Sequence, residues 1–358
     1  MKFNKKLLSL SFFIPAAAAI ATSCASHPSK VDKKSGDKDD NQTTTSGQSA
    51  DKTTNPGSKT NPATTEEDRS PINLTDTSNL VYKPSNYYAS ADGKKGMDLW
   101  RALEMHHHGI RAGILHGSVI YETLKTFYNE SRAYKDLYYK KDGCILDIFT
   151  AQPDKTNFAS KQTFVENANS SSENTAQMRG HLIPEKWYSS DDPMQPDPFV
   201  TWPLDTFVNS KRGNFPFGEV KNVTFTFKNG SKLGTNNKGQ MVFEVIDKFK
   251  GDVARSVLYF ILMYYEKNIY SDASNNLFIS NFPYIKDDFL HTLLKWDMQD
   301  PVDAVDINRN NEIFKKYQFR NPFIDYPNLP ANLFGAMPDT FNDKGILVSN
   351  GDNAVIKE

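Results

Sequence analysis

Between residues 25 and 70 the chain carries no Phe, Tyr or Trp, and Val31 is the only large aliphatic side chain there. Ser, Thr, Lys, Asp, Asn, Gly and Pro supply most of the rest. Such a stretch cannot bury enough apolar surface to offset the entropy of ordering it. Any core must be built downstream, where aromatic residues are plentiful. The expectation is a polar tether over residues 24–78, one folded domain over 79–340 and a tail over 341–358.

The chain opens MKFNKKLLSLSFFIPAAAAIATSC. Lysines precede an apolar run, and small residues lead to Cys24. That is the build of a secretory signal over residues 1–23. Ala21-Thr22-Ser23-Cys24 resembles a bacterial lipobox, in which the cysteine is lipidated and becomes the new N-terminus. The plainer alternative is a signal peptide with an incidental cysteine. On the lipoprotein reading the domain is tethered to the outer face of the cell membrane through Cys24. Cys144, the other cysteine, lies in the apolar run CILDIF and is expected to be a buried thiol. Downstream of the leader, the longest apolar run, residues 257–265, is far short of the ~20 residues needed to span a bilayer.

Basic and acidic residues nearly balance, at 42 against 43. Composition therefore does not announce a nucleic-acid binder, and a basic cleft would have to be local. Helical stripes are expected over 93–109, stopping at Gly109 with His106, His107 and His108 at the end, and over 117–130, capped by Ser118. CILDIFT (144–150) reads as a strand. Residues 222–235 alternate Val223, Phe225 and Phe227, then turn at Asn229-Gly230, which predicts a hairpin. Residues 250–268 read as a core helix capped by Asp252. A further helix is expected near 287–297, and another from the Asp300-Pro301 start to about Gln318. Helices flanking a strand-rich middle make an α+β fold.

One segment has a chemical pattern. MRGHLIPEKWY holds His181, and Asn209 follows it by 28 residues on a short predicted helix, LDTFVNSKR, which also carries Asp205, Lys211 and Arg212. A neutral imidazole can deprotonate a water. An amide oxygen can help hold a hard cation such as Mg²⁺, which steadies a leaving oxyanion. An arginine can clamp phosphate in a bidentate manner. Read alone, a histidine near a strand is more often structural, and one Asn is no metal site.

This segment resembles the endonuclease I family, secreted nucleases of the His-Me-finger (ββα-metal) class. The resemblance rests on Arg179, His181, Pro184, Trp187, Tyr188, Pro193, Met194, Asp197, Pro203, Asp205, Val208, Asn209, Arg212, Asn214 and the run Pro216 to Val220. Blocks at 87–96, 146–150, 229–235, 242–255, 293–303, 308–314 and 320–327 extend it, in family order, over about residues 87 to 335. It implies a His-Me-finger core and cleavage of DNA, and often RNA, with a divalent cation (Mg²⁺, or Mn²⁺ or Ca²⁺). His181 takes the general-base position and Asn209 that of a metal ligand. Arg212 stands where a catalytic phosphate contact is expected. Arg179, Lys211, Arg255 and Arg320 are candidate substrate contacts; no protein partner is implied.

Three family positions differ. The glutamate before the histidine is Gly180 here, and Phe199 and Val200 replace a His-His pair. Arg179-Gly180-His181 matches the end of the D-R-G-H motif of a second His-Me-finger family, which holds its metal through an Asn and waters. Asp197 or Glu219 could stand in for the missing carboxylate. The alternative function is a nuclease-fold lipoprotein that binds nucleic acid or a host macromolecule without cutting it.

Overall fold

The fold is organised around a helix with no solvent face. In α4, Lys250–Tyr264, all fifteen residues are buried. Its sequence explains this, since VARSVLYFILMY is apolar nearly all round and cannot present a polar stripe to water. The computed structural model describes residues 75–115, 118–155, 160–275 and 277–351, all within one compact unit. The signal, Cys24 and nearly all of the tether lie outside the described residues.

The elements alternate without a repeating unit, as an α+β fold should. A short strand β1 (Val81–Lys83) is followed by helices α1 (Gly96–Ile114) and α2 (Ser118–Glu130). The middle of the chain forms β2 (Gln177–His181), β3 (Thr201–Asp205), α3 (Thr206–Arg212), β4 (Asn222–Thr226), β5 (Lys232–Thr235) and β6 (Met241–Glu244). After α4 come α5 (Asp287–Gln299), α6 (Ala304–Tyr317), two short helices α7 (Pro322–Asp325) and α8 (Leu329–Phe334), and β7 (Ile346–Ser349). The strands make three small antiparallel sheets, β1-β7, β2-β3 and β4-β5-β6. α4 packs against α5, α1 and α7. Among the described residues no helix is long and apolar enough to cross a membrane.

The hairpin at Asn229-Gly230 forms as expected. Gly230 has φ +104°, and the Asn229 side chain accepts from the Ser231 amide. Cys144 is a buried free thiol. Several boundaries differ from expectation. α1 runs through Gly109 to Ile114, because one glycine costs a helix only ~1 kcal/mol. His106–His108 are therefore interior, with His107 Nδ1 2.6 Å from the Leu103 carbonyl. The 144–150 segment is no strand; Ile145 makes isolated bridges to Lys135 and Lys161 and the chain then turns. Asp300 ends α5 instead of starting α6. The N-cap of α6 is Asp303, in a capping box with Asp306. The 341–358 tail is tied down in part, since β7 pairs with β1 and Leu347 is fully buried.

Candidate active site

β2, β3 and α3 form a ββα unit. The register pairs Gln177 with Asp205 and His181 with Thr201, so His181 stands at the end of β2. β3 passes straight into α3. Asp205 caps that helix, accepting from the Val208 amide at 2.9 Å.

The His181 side chain is 4% exposed, and both ring nitrogens are engaged. Nε2 lies 3.1 Å from the Gln195 carbonyl oxygen, which also accepts from Thr201 Oγ1. A carbonyl can only accept, so Nε2 carries the proton and Nδ1 is the basic nitrogen. Nδ1 lies 3.1 Å from Glu185 Oε2. A carboxylate can only accept, so the contact is a charge-assisted pair whenever Nδ1 also carries a proton. Burial opposes the charge on Glu185. The hydrogen bond and positive charge of His181, with bonds from Gln195 and Ser190, outweigh it and hold the carboxyl down at about 2. Tyr121 flanks the imidazole with its ring centroid 5.7 Å away.

Neither Glu185 nor Tyr121 figures in the sequence reading. The available signal for Glu185 was its place four residues after the histidine, just past Pro184. Tyr121 comes from α2, and nothing local ties it to residue 181.

Asn209 is half-buried on α3 and donates to Met178 Sδ at 3.3 Å. Met178 is three residues before His181 on β2, and alternate strand residues point to opposite faces. The pairing shows the two faces. Met178 and Gly180 lie with Leu204 and Trp202, whereas Gln177, Arg179 and His181 lie with Asp205, Pro203 and Thr201. Asn209 therefore sits on the other face of β2 from the imidazole. Among the described residues no hydrogen bond joins the two side chains.

Position 180 is closed to a ligand. A Cβ placed on Gly180 would come within 2.6 Å of Leu204 Cδ1, and Leu204 is fully buried. The glycine serves close packing with Leu204. The expected metal ligand, Asn209, thus faces away from His181, and position 180 supplies none in its place. Among the described residues no group of three or more His, Cys, Asp or Glu side chains is placed to hold a metal. Asp197 does not fill the gap: it is fully buried, accepting from Tyr259, Tyr264 and the Phe199 amide. Glu219 pairs with Lys295 at 2.6 Å.

The arginines are committed to the scaffold, which corrects their expected role as phosphate contacts. Arg212 is 1% exposed, donates to the His181 carbonyl at 2.8 Å and to the Leu182 carbonyl, and stacks on Phe217. Burial lowers its pKa to about 9. It fixes the strand end that carries the imidazole and has no open path to a substrate. Arg255 is 1% exposed between Asp297 and Asp306, at 2.9 and 2.5 Å. Arg320 is fully buried in a bidentate pair with Asp325. Arg179 lies on the His181 face but binds Glu166 through two nitrogens and stacks 3.7 Å over Tyr121. Lys211 is the exposed cation of this set, with Nζ 5.5 Å from the Phe207 ring and 5.1 Å from that of Phe225.

The sequence model of the family described as Endonuclease I matches residues 110–328. Over 132 residues the chain is 37% identical to a protein named extracellular ribonuclease from Bacillus amyloliquefaciens. Over 130 residues it is 35% identical to a protein of the same name from Bacillus subtilis (strain 168). Each match covers 35% of this chain and 42% of the relative, so the chain spans about two fifths of their length.

Proposed function

The chain belongs to the endonuclease I family, and from that premise we propose that it hydrolyses phosphodiester bonds of DNA, and of RNA, as an endonuclease needing a divalent cation. Mg²⁺ is the expected ion, with Mn²⁺ or Ca²⁺ as substitutes. Cys24 would be lipidated, leaving the enzyme on the outer face of the cell membrane with external nucleic acid as its substrate. The names of the two bacterial relatives support a nuclease acting outside the cell.

The observation that carries the chemistry is the fixed tautomer of His181. The Gln195 carbonyl holds the proton on Nε2, so Nδ1 is the nitrogen that can accept one. For that Nδ1 must carry no proton, any proton shared with Glu185 having passed to solvent, and Glu185, whose side chain is 35% exposed, must turn aside. Nδ1 then takes a proton from a water as the water oxygen attacks phosphorus, and the bridging oxygen departs and is protonated from solvent. Arg212 keeps the His181 carbonyl in place, and Tyr121, itself stacked against Arg179, walls one side of the ring. Lys211 is free to meet a phosphate.

Plasmid digestion with Mg²⁺, with and without EDTA, tests this. The wild type should cut and EDTA should stop it. His181→Ala should lower the rate by about 10²–10⁴-fold, the usual cost of losing a general base. A His181→Ala variant as active as the parent would remove the assignment. The competing reading, a binding protein on a nuclease fold, is favoured by Leu204 filling the space beside residue 180. It requires a wild type that binds nucleic acid in a salt-dependent way and cuts nothing.

A further inference from the structure

The chain as a whole balances its charges, but residues 206–228 do not. They hold Lys211, Arg212, Lys221 and Lys228 against one acid, Glu219. Arg212 is buried in the scaffold, and Glu219 is taken by Lys295. The three lysines are exposed, and among the described residues no ion pair joins any of them to a carboxylate. Two aromatic rings share this surface. Phe207 stands one turn before Lys211 on α3, and Phe225 comes from β4, an edge strand of its sheet. Lys211 Nζ lies 5.5 Å from the Phe207 ring and 5.1 Å from that of Phe225. Both rings pack against the core and remain partly open to solvent. Asn209 lies about 200° round α3 from Phe207, so the rings and that amide flank the helix on opposite sides, about 10 Å apart across its width.

Resting on the reading of the chain as a nuclease, we propose that Phe207, Phe225 and Lys211 hold one unpaired nucleotide of a single strand beside the cut, and that the chain grips single-stranded nucleic acid in preference to duplex. An open ring face takes any base by stacking, and an ammonium held between two rings takes the phosphate. In a duplex each base face is already covered by its neighbours in the stack, so a paired base has nothing to offer these rings. The phosphate alone then meets Lys211, and a duplex supplies phosphate as well as a strand does. Stacking does not read the 2′-hydroxyl, which leaves ribose and deoxyribose strands on the same footing.

Fluorescence anisotropy of the full chain with labelled DNA in EDTA, where nothing is cut, tests this. At equal length and salt, a single strand should bind at least about fivefold tighter than the duplex. Phe207→Leu/Phe225→Leu keeps the apolar character and removes the rings. It should weaken single-strand binding by about tenfold, a loss of the size of one stack, and duplex binding by less than about twofold. A further arm uses the wild type alone: a strand with abasic residues keeps every phosphate and should bind about tenfold more weakly than the intact strand. Equal or tighter duplex binding, no penalty for the abasic strand, or the same loss on both substrates in the double variant would each overturn the proposal. So would self-association in sedimentation that the same two substitutions abolish, since a second copy would then cover this face. Cleavage is read separately with Mg²⁺. A protein that prefers strands and cuts nothing refutes the nuclease reading alone, and one that cuts but shows no abasic penalty refutes the stacking site alone.

Discussion

Replacing Arg212 by methionine separates a scaffold from a phosphate clamp. The guanidinium donates to the carbonyls of His181 and Leu182, and at 3.3 Å to that of Phe215, while it stacks on Phe217. Methionine keeps much of the volume and the contact with Phe217 but offers no donor. Each buried carbonyl left unsatisfied costs about 1–3 kcal/mol. Removing a buried charge that no carboxylate pairs with among the described residues returns part of this. The net expectation is a loss of about 2–4 kcal/mol, or about 5–15 °C in Tm for a domain of this size. The strand end carrying His181 also loses its anchor, and displacement of a catalytic group by about 1 Å can cost 10²-fold in rate. Thermal unfolding by circular dichroism, with kcat and KM measured well below Tm, reads both effects. Tm and kcat should fall while KM stays near the wild-type value. A Tm within about 1 °C of wild type, together with a higher KM and a salt slope of binding shallower by about one, would show that Arg212 meets phosphate after all.

Gly180→Glu, which restores the family residue, should destabilise the protein by about 1–3 kcal/mol through overlap with Leu204. Adding Leu204→Ala should recover part of the loss in a urea titration if that overlap is the cause. Glu166 and Glu185 are both held at about 2 in the folded protein, below their ordinary 4.5. Their contribution is complete above pH 4.5 and is lost as pH falls toward 2. The Glu166→Gln/Glu185→Gln double variant should therefore show a flatter acid limb of stability than the wild type, and an unchanged limb would contradict the pairing. Lys211→Ala should leave the unfolding free energy within about 0.5 kcal/mol of wild type. It should also reduce the salt slope of nucleic-acid binding by about one.

Much of the domain was legible because local chemistry decides it. The Asn229-Gly230 turn and the all-apolar run of α4 each carry their structure within a few residues. Boundaries were less legible where two signals competed. Asp300 and Asp303 are both good caps beside Pro301, and the Asp306 carboxylate, by completing a capping box, selects Asp303. The 144–150 run is apolar enough for a strand, but its backbone finds only isolated bridges, and the turn at Asp147 to Thr150 takes over.

For the site, the order of residues placed His181 on a strand and Asn209 on the following helix. Proximity in a motif is not convergence in space, because a strand sends neighbouring side chains to opposite faces. Which arginines reach solvent is likewise invisible in the chain. Arg212, Arg255 and Arg320 differ from Lys211 chiefly in what has packed around them, and the three buried guanidiniums find partners 3 to 51 residues distant in sequence. The sequence by itself determined where the core could be, the order of its elements and the identity of the one imidazole with a chemical setting. Only the tertiary structure decided that the carboxylate at that imidazole is Glu185, because that choice was made by Leu204 filling one side of β2 and by Gln195 fixing the ring from the other.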